Sequence, residues 1–141
     1  MSILKNVFAI HGVFEGLLGF TVFFFPQLFA SYVNLAEGQG EFIMRAFGAG
    51  ILALGTGGIL CNGMPDVLPC KRAIGASFLA FHGLLAFLSF QSRKNGSLTD
   101  LVGWVACGIH SVMAVLFYVW YKVTESQVKT YTKKNGPKHD H

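Results

Sequence analysis

Five ionisable side chains lie inside stretches of this sequence that are otherwise apolar, and their types are the ones that could support chemistry. They are His11, Glu15, Arg45, His82 and His110. Imidazole and carboxylate groups bind zinc and iron, and two opposed histidines can hold haem. The same groups can relay protons inside a membrane. Metal binding, haem binding and proton transfer therefore all remain open at this point.

The spacing of these residues does not select one chemistry. His11 and Glu15 are four residues apart and would share one face of a helix. Neither an E-x-x-H nor an H-x-x-x-H pair occurs on a single apolar stretch, so no resident cofactor is predicted. The alternative is a transition metal or haem, and metal ligands, if any, would be His11, Glu15, His82 and His110. Gly-rich phosphate loops and nucleophile elbows are also missing, which favours a non-enzymatic role.

Four long apolar blocks carry these residues. Only 13% of the 141 residues are charged, whereas soluble domains are about one-quarter charged. Each block approaches the roughly 20 residues that a helix needs to cross a bilayer. The blocks are residues 7–25, 42–60, 73–90 and 101–121. The sequence therefore predicts an all-α fold, a four-span transmembrane helical bundle over residues 1–121, in an endomembrane or the plasma membrane.

Two further segments complete the predicted organisation. Apolar residues recur at helical spacing over residues 27–35, which predicts a short amphipathic helix at the interface. Residues 122–141 are rich in lysine and predict a solvated, disordered basic tail. Nucleic-acid binding would depend on this tail alone and is not expected. The lipid bilayer is the expected partner, together with a larger membrane protein or further copies of the chain.

Basic residues indicate the orientation of the four spans. An even number of spans places both termini and the loop around residues 61–72 on one side. That side carries Lys5, Lys71, Arg72, Lys122, Lys129, Lys133, Lys134 and Lys138. The other side carries only Arg93 and Lys94 outside the spans. The positive-inside rule therefore predicts that both termini are cytosolic.

Small residues lie on the same faces as the ionisable ones. On the first span, His11 and Glu15 adjoin a stripe of glycines, whereas the bulky apolar residues lie opposite. Small residues allow helix backbones to approach closely in a membrane. The glycines expected to pack helices together are Gly12, Gly16, Gly19, Gly48, Gly75 and Gly103. Such faces are expected to turn inward, because a charge facing lipid is costly.

The depth of the ionisable residues predicts that they meet. Glu15, His82 and His110 lie near the middle of their spans, and His11 lies one turn towards the cytosolic side. Arg45 lies roughly 9 Å from the midplane on the other side, within reach of a long side chain. We therefore predict a buried polar cluster of His11, Glu15, His82 and His110, with Arg45 near or above it.

Three roles for such a cluster are compatible with the sequence. Histidines and a carboxylate could simply hydrogen-bond across helices and hold the bundle together. The bundle core could instead be a pocket for a lipid or another small molecule. The third possibility is redox, haem or metal chemistry.

The apolar chain as a whole resembles the small four-helix DoxX-like membrane proteins. The resemblance covers "LLGFTVFFFPQLFASYVNL", "RAFGAGILALG", "FHGLLAF" and "IHSVMAVLFY". Its matched positions are Pro26, Arg45, Gly48, His82 and His110. Glu15 and the lysine-rich tail are not part of this pattern. The resemblance implies an accessory or assembly role beside a larger membrane system, or a link to redox complexes.

Overall fold

The computed structural model describes Leu4, residues 6–30 and residues 39–135, and every regular element among them is a helix. We number the helices α1 (Val7–Phe24), α2 (Gln27–Ala30), α3 (Gln39–Asn62), α4 (Pro69–Lys94), α5 (Asp100–Val123) and α6 (Glu125–Asn135). Four of them are long and apolar enough to cross a membrane, namely α1, α3, α4 and α5 with the start of α6. The predicted all-helical class with four candidate spans is thereby confirmed.

Local chemistry explains where these helices begin and end. Pro26 follows the end of α1 and has no backbone N–H to extend it. Pro69 is the first residue of α4, where the missing N–H costs nothing. The turn after α4 contains Gly96, whose φ of +76° favours glycine. The sequence thus specifies the breaks between the long helices by residue type.

Helices α1 and α3 pack with their backbones almost in contact. A Cβ on Gly12 would lie 2.6 Å from the backbone nitrogen of Ile59. A Cβ on Gly19 would overlap the backbone of Leu52, and one on Gly55 would overlap Gly16. Only glycine leaves room for this approach, which strengthens dispersion contacts between the helices.

Helices α4 and α5 form the second close pair, and here glycines accept large side chains. The ring of Trp120 occupies the space beside Gly75. The side chain of Arg93 lies against Gly103, with its Cβ 2.7 Å from the position of an added Cβ. Arg93 also extends over the ring of Trp104 and pairs with Asp100. Trp120 beside Gly75 thus holds one end of the pair, and Arg93 beside Gly103 holds the other.

A layer of aromatic rings joins the two pairs. Phe8 on α1 lies 4.8 Å from Trp120 and 5.4 Å from Phe117, between ring centroids. Phe78 on α4 lies 5.2 Å from Phe117. All four rings are buried and form the core of the protein. The outer surfaces of the four long helices are apolar, as expected for helices surrounded by lipid.

The segments outside the spans differ in part from the prediction. A four-residue helix, Gln27–Ala30, lies within the segment predicted to be an interfacial helix, and the remainder of residues 27–35 lies outside the described residues. Its position at the interface stays a prediction. The tail was expected to be disordered, but its residues Glu125–Asn135 form α6. That expectation was wrong for this part of the tail. Glu125 pairs with Lys129 one turn later, and the Thr130 hydroxyl donates to the Ser126 carbonyl, so local contacts support the helix.

Candidate metal centre

Three helices bring His11, Glu15, His82 and His110 together, and we call these four residues the His/Glu cluster. Helix α1 carries His11 and Glu15 one turn apart, α4 carries His82 and α5 carries His110. His11 and His82 are fully buried and Glu15 is 2% exposed, whereas His110 is partly exposed. Gly12 and Gly19 of α1 lie against α3. The stripe of small and ionisable residues on α1 therefore contacts α3 through its glycines, and it contacts α4 through His11 and Glu15.

The polar atoms of the cluster lie close together. The Nε2 atom of His82 lies 4.0 Å from a carboxylate oxygen of Glu15. Three potential metal-ligand atoms, one ring nitrogen each from His11 and His82 and one carboxylate oxygen of Glu15, lie within 4.8 Å of one another. The Nδ1 atoms of His82 and His110 lie 2.9 Å apart, which is hydrogen-bond distance. The four residues therefore form one continuous polar group within the bundle.

Aromatic rings enclose this group. The ring of His11 stacks on Phe78, with centroids 4.1 Å apart and an angle of 20° between the planes. Phe117 meets His11 edge-on at 5.2 Å and lies parallel to His82 at 6.1 Å. The surroundings are therefore apolar rings, which offer the imidazole nitrogens no conventional acceptor or donor.

Several buried nitrogens of the cluster lack a hydrogen-bond partner among the described residues. They are both ring nitrogens of His11 and Nε2 of His82. Leaving a buried polar atom without a partner costs roughly 1–3 kcal/mol. Native proteins contain few such atoms, and each of them calls for a physical explanation. One nitrogen of His11 and a nitrogen of His82 lie within 4.8 Å of a carboxylate oxygen of Glu15, so unpartnered imidazole nitrogens and the carboxylate share one small space.

Arg45 does not join the cluster. Its guanidinium bonds to Glu41 one turn earlier and to the backbone carbonyl of Phe23, and its side chain is 40% exposed. The polar contacts of Arg45 are thus with Glu41 and Phe23, and its position near or above the cluster stays a prediction. The end of α1 offers the guanidinium a backbone carbonyl that has no helical partner, which explains its placement.

The predicted packing glycines have different surroundings. Added Cβ atoms on Gly12, Gly19, Gly48, Gly75 and Gly103 would collide with a neighbouring helix. At Gly16 the corresponding space is open, although its backbone lies against Gly55. Gly55 and Gly58 also contact α1 and were not among the predicted packing positions. They belong to the glycine-rich run of α3, in which composition alone does not show which glycine faces the neighbour.

The enclosing aromatic residues were also missed, although the sequence contains a signal for them. Phe8 precedes His11 by three residues, and Phe78 precedes His82 by four. Phe117 follows His110 by seven residues. All three intervals place a phenylalanine on the histidine's face of its helix. The same spacing also selects Phe14, three residues after His11, which is exposed, so it narrows the candidates but does not by itself identify the shell.

Two imidazoles and one carboxylate are a suitable ligand set for a transition metal ion. Zinc binds imidazole nitrogen and carboxylate oxygen at about 2.0–2.2 Å. Ligands around a tetrahedral ion at that length are about 3.3 Å apart. Atoms now 4.0–4.8 Å apart would therefore need to approach each other by roughly 1 Å. Side-chain rotations within the existing helices can supply a movement of this size.

Comparison of the chain with models of protein families, with curated proteins and with solved structures finds no match.

Proposed function

We propose that this protein is a multi-pass integral membrane protein that binds a divalent transition metal ion, zinc or iron, through His11, Glu15 and His82. One observation carries the proposal: three potential ligand atoms within 4.8 Å of one another lie in a buried, ring-lined space. The histidine nitrogens in that space have no hydrogen-bond partner among the described residues. A bound ion would engage one nitrogen of His11 and Nε2 of His82, because neutral imidazole is a common metal ligand.

Charge also favours a cation at this place. Glu15 is buried, and the described residue within ion-pair distance is His82, at 4.0 Å. A carboxylate buried without a counter-charge is strongly unfavourable in an apolar environment. A divalent ion would offset the charge of Glu15 and coordinate both histidines at the same time. Glu15 follows His11 by four residues, whereas alanines, Ala86 and Ala114, follow His82 and His110 at the same interval. A bound cation would explain why this one position carries a carboxylate.

The geometry supports a single ion better than haem. Histidines that ligate one haem iron from both sides face each other across the macrocycle. His82 and His110 instead contact each other directly, with their Nδ1 atoms 2.9 Å apart. Phe78 and Phe117 lie parallel to the His11 and His82 rings, at 4.1 and 6.1 Å between centroids, so aromatic side chains pack directly beside both imidazoles.

An accessory or assembly role remains compatible with metal binding. The resemblance to DoxX-like proteins implies either an accessory or assembly role or a link to redox complexes. A bound metal ion would be consistent with the link to redox complexes. A larger membrane protein that co-purifies with this chain would support the accessory role. Comparison of the metal content with and without that larger protein would then show whether metal binding by the His/Glu cluster is connected with the accessory role.

Metal content of the purified protein tests the proposal. The chain is purified in detergent without a histidine tag, and bound metals are measured by mass spectrometry, with the visible spectrum recorded in parallel. We expect about one zinc or iron ion per chain, and loss of most of it in Glu15→Gln and His82→Gln. A metal-free wild-type protein, or a Soret band indicating haem, would overturn the proposal.

Two control variants separate the cluster from other possible ligands. Glu41→Gln changes an exposed glutamate of similar chemistry that pairs with Arg45, and we expect it to retain the metal. His139→Gln/His141→Gln removes tail histidines that lie outside the described residues. Retention of the metal in both controls, with loss in Glu15→Gln, assigns it to the cluster. Equal metal content in Glu15→Gln and Glu41→Gln would contradict the assignment.

A further inference from the structure

The ring of His82 faces two partners through its two nitrogens. Nε2 is oriented towards Glu15, whose carboxylate oxygen lies 4.0 Å away. Nδ1 lies 2.9 Å from Nδ1 of His110. The two nitrogens of an imidazole are on different edges of the ring, so His110 lies on the side of His82 away from Glu15.

A hydrogen bond between two ring nitrogens requires one donor and one acceptor. If Nε2 of His82 binds the metal, that nitrogen carries no hydrogen, and the neutral ring carries its hydrogen on Nδ1. His82 then donates to Nδ1 of His110, which accepts. The hydrogen bond fixes both the tautomer of His82 and the direction of its Nε2 lone pair.

We infer that His110 is a positioning residue rather than a ligand, and that the bound ion therefore keeps a coordination position for an exogenous oxygen ligand such as water. The inference rests on the proposed metal site. His110 uses its Nδ1 atom for the contact with His82, and the potential ligand atoms found within 4.8 Å of one another come from His11, Glu15 and His82. Protein ligands then number three, His11, Glu15 and His82, which leaves the fourth tetrahedral position open. Closed structural zinc sites have four protein ligands, whereas three plus an open position is typical of sites that act on a substrate.

X-ray absorption spectroscopy of the zinc-loaded protein counts the imidazoles directly. We expect two histidine ligands and two oxygen ligands in the wild type, and the same count in His110→Asn. Three histidine ligands in the wild type, falling to two in His110→Asn, would show that His110 is a ligand and would overturn the inference.

Metal affinity tests the positioning role. His110→Leu removes the acceptor, and we expect zinc affinity to fall by about 10- to 100-fold, as for other residues that orient a metal ligand. The amide oxygen of His110→Asn can replace the Nδ1 acceptor, so affinity should recover to within a few-fold of wild type. Equal affinity of the wild type and His110→Leu would contradict the role of His110.

Cobalt substitution provides a readout that a purely structural effect would not change. Visible bands of bound Co²⁺ report its coordination geometry, so His110→Leu should alter them and His110→Asn should leave them close to wild type. If His110→Leu does not fold, the wild-type and His110→Asn measurements still decide the question. Failure of wild-type protein to bind any metal would instead contradict the proposed function, so the two failures can be distinguished.

Discussion

Arg45 donates a hydrogen bond from Nη1 to the backbone carbonyl of Phe23, 2.8 Å away and 22 residues earlier in the chain. Gly48, three residues after Arg45, lies against the same segment, and a Cβ there would be 2.6 Å from the backbone nitrogen of Phe23. The last carbonyls of a helix have no partner within it, and a basic side chain can bond to them. Arg45 and Gly48 of α3 therefore hold the end of α1 together: Arg45 bonds to the Phe23 carbonyl, and Gly48 lets the Phe23 backbone approach closely.

Substitution of Arg45 should weaken this junction. Arg45→Met keeps most of the aliphatic stem but leaves the Phe23 carbonyl without the arginine donor. We expect a loss of about 1.5–3 kcal/mol in unfolding free energy, the range for hydrogen bonds to charged groups. Unfolding by sodium dodecyl sulfate in mixed micelles, followed by circular dichroism, measures this change.

Glu41→Gln is the matched control for Arg45→Met. It removes the carboxylate that pairs with Arg45 but leaves the bond to Phe23 in place. Glu41 is 63% exposed, so we expect a change of no more than about 1 kcal/mol. If Glu41→Gln were as destabilising as Arg45→Met, the ion pair rather than the Phe23 contact would hold the junction.

Replacing a glycine by alanine should lower stability where the glycine lies against another helix, and should not lower it where the space beside the glycine is open. Gly19→Ala and Gly55→Ala place a methyl group against the backbone of the opposite helix. We expect each to cost about 1–3 kcal/mol, as for other overpacked contacts. Gly50→Ala meets nothing within 4 Å and should leave stability unchanged or raise it by up to about 1 kcal/mol. The same micelle unfolding assay measures all three, and equal losses would show that close packing of α1 on α3 is not the cause.

The features that the sequence could predict are those that depend on one helix at a time, such as its length, its ends and the residues that share a face. Length, apolar content and the breakers Pro26 and Pro69 locate the four long helices. Helical spacing places His11 and Glu15 on one face, because that relationship depends only on the rise and turn of one helix. The expected proximity of His82 and Glu15 followed from similar depth in neighbouring spans.

Relationships between helices could not be derived in the same way. The rotation of each helix and the identity of its neighbour depend on packing of the whole bundle. The sequence therefore predicted that His82 and His110 share a cluster but not that their Nδ1 atoms contact each other directly. Depth placed Arg45 near or above the cluster, but it could not show that the guanidinium bonds to the backbone carbonyl of Phe23. Composition did not distinguish Gly55, which contacts α1, from Gly50, which does not.

Besides His11, Glu15 and His82, Lys71 is a further buried ionisable residue, and sequence patterns did not identify it as buried. Its side chain is 3% exposed, and its ammonium bonds to Asp66 and to the carbonyl of Met64, each at 2.8 Å. The same group lies 4.8 Å from the centre of the Phe8 ring. Lys71 therefore holds the loop after α3 over the aromatic core, where the buried Cys61 also lies.

Removal of the Lys71 charge should loosen this loop. Lys71→Met leaves Asp66 and the Met64 carbonyl without the ammonium, and we expect a loss of about 1–3 kcal/mol. Maleimide labelling of Cys61 should become faster, because its protection depends on that packing. Lys129→Met is the control: Lys129 is 76% exposed, and we expect its ion pair to contribute less than about 1 kcal/mol. Unchanged Cys61 labelling in Lys71→Met would refute the proposed role of the loop contact.

The distribution of basic residues predicts the sidedness of the chain. Cys70 is exposed at the start of α4, in the loop region assigned to the cytosol, whereas Ser97 lies in the turn between α4 and α5. In sealed vesicles with the cytosolic face outward, a membrane-impermeant maleimide should label Cys70 at once. In a Cys70→Ala background, Ser97→Cys should be labelled only after detergent is added. Cys107→Ala in both proteins removes the partly exposed thiol of α5 as a source of background. The reverse labelling order would place the lysine-rich side outside the cytosol, against the positive-inside rule.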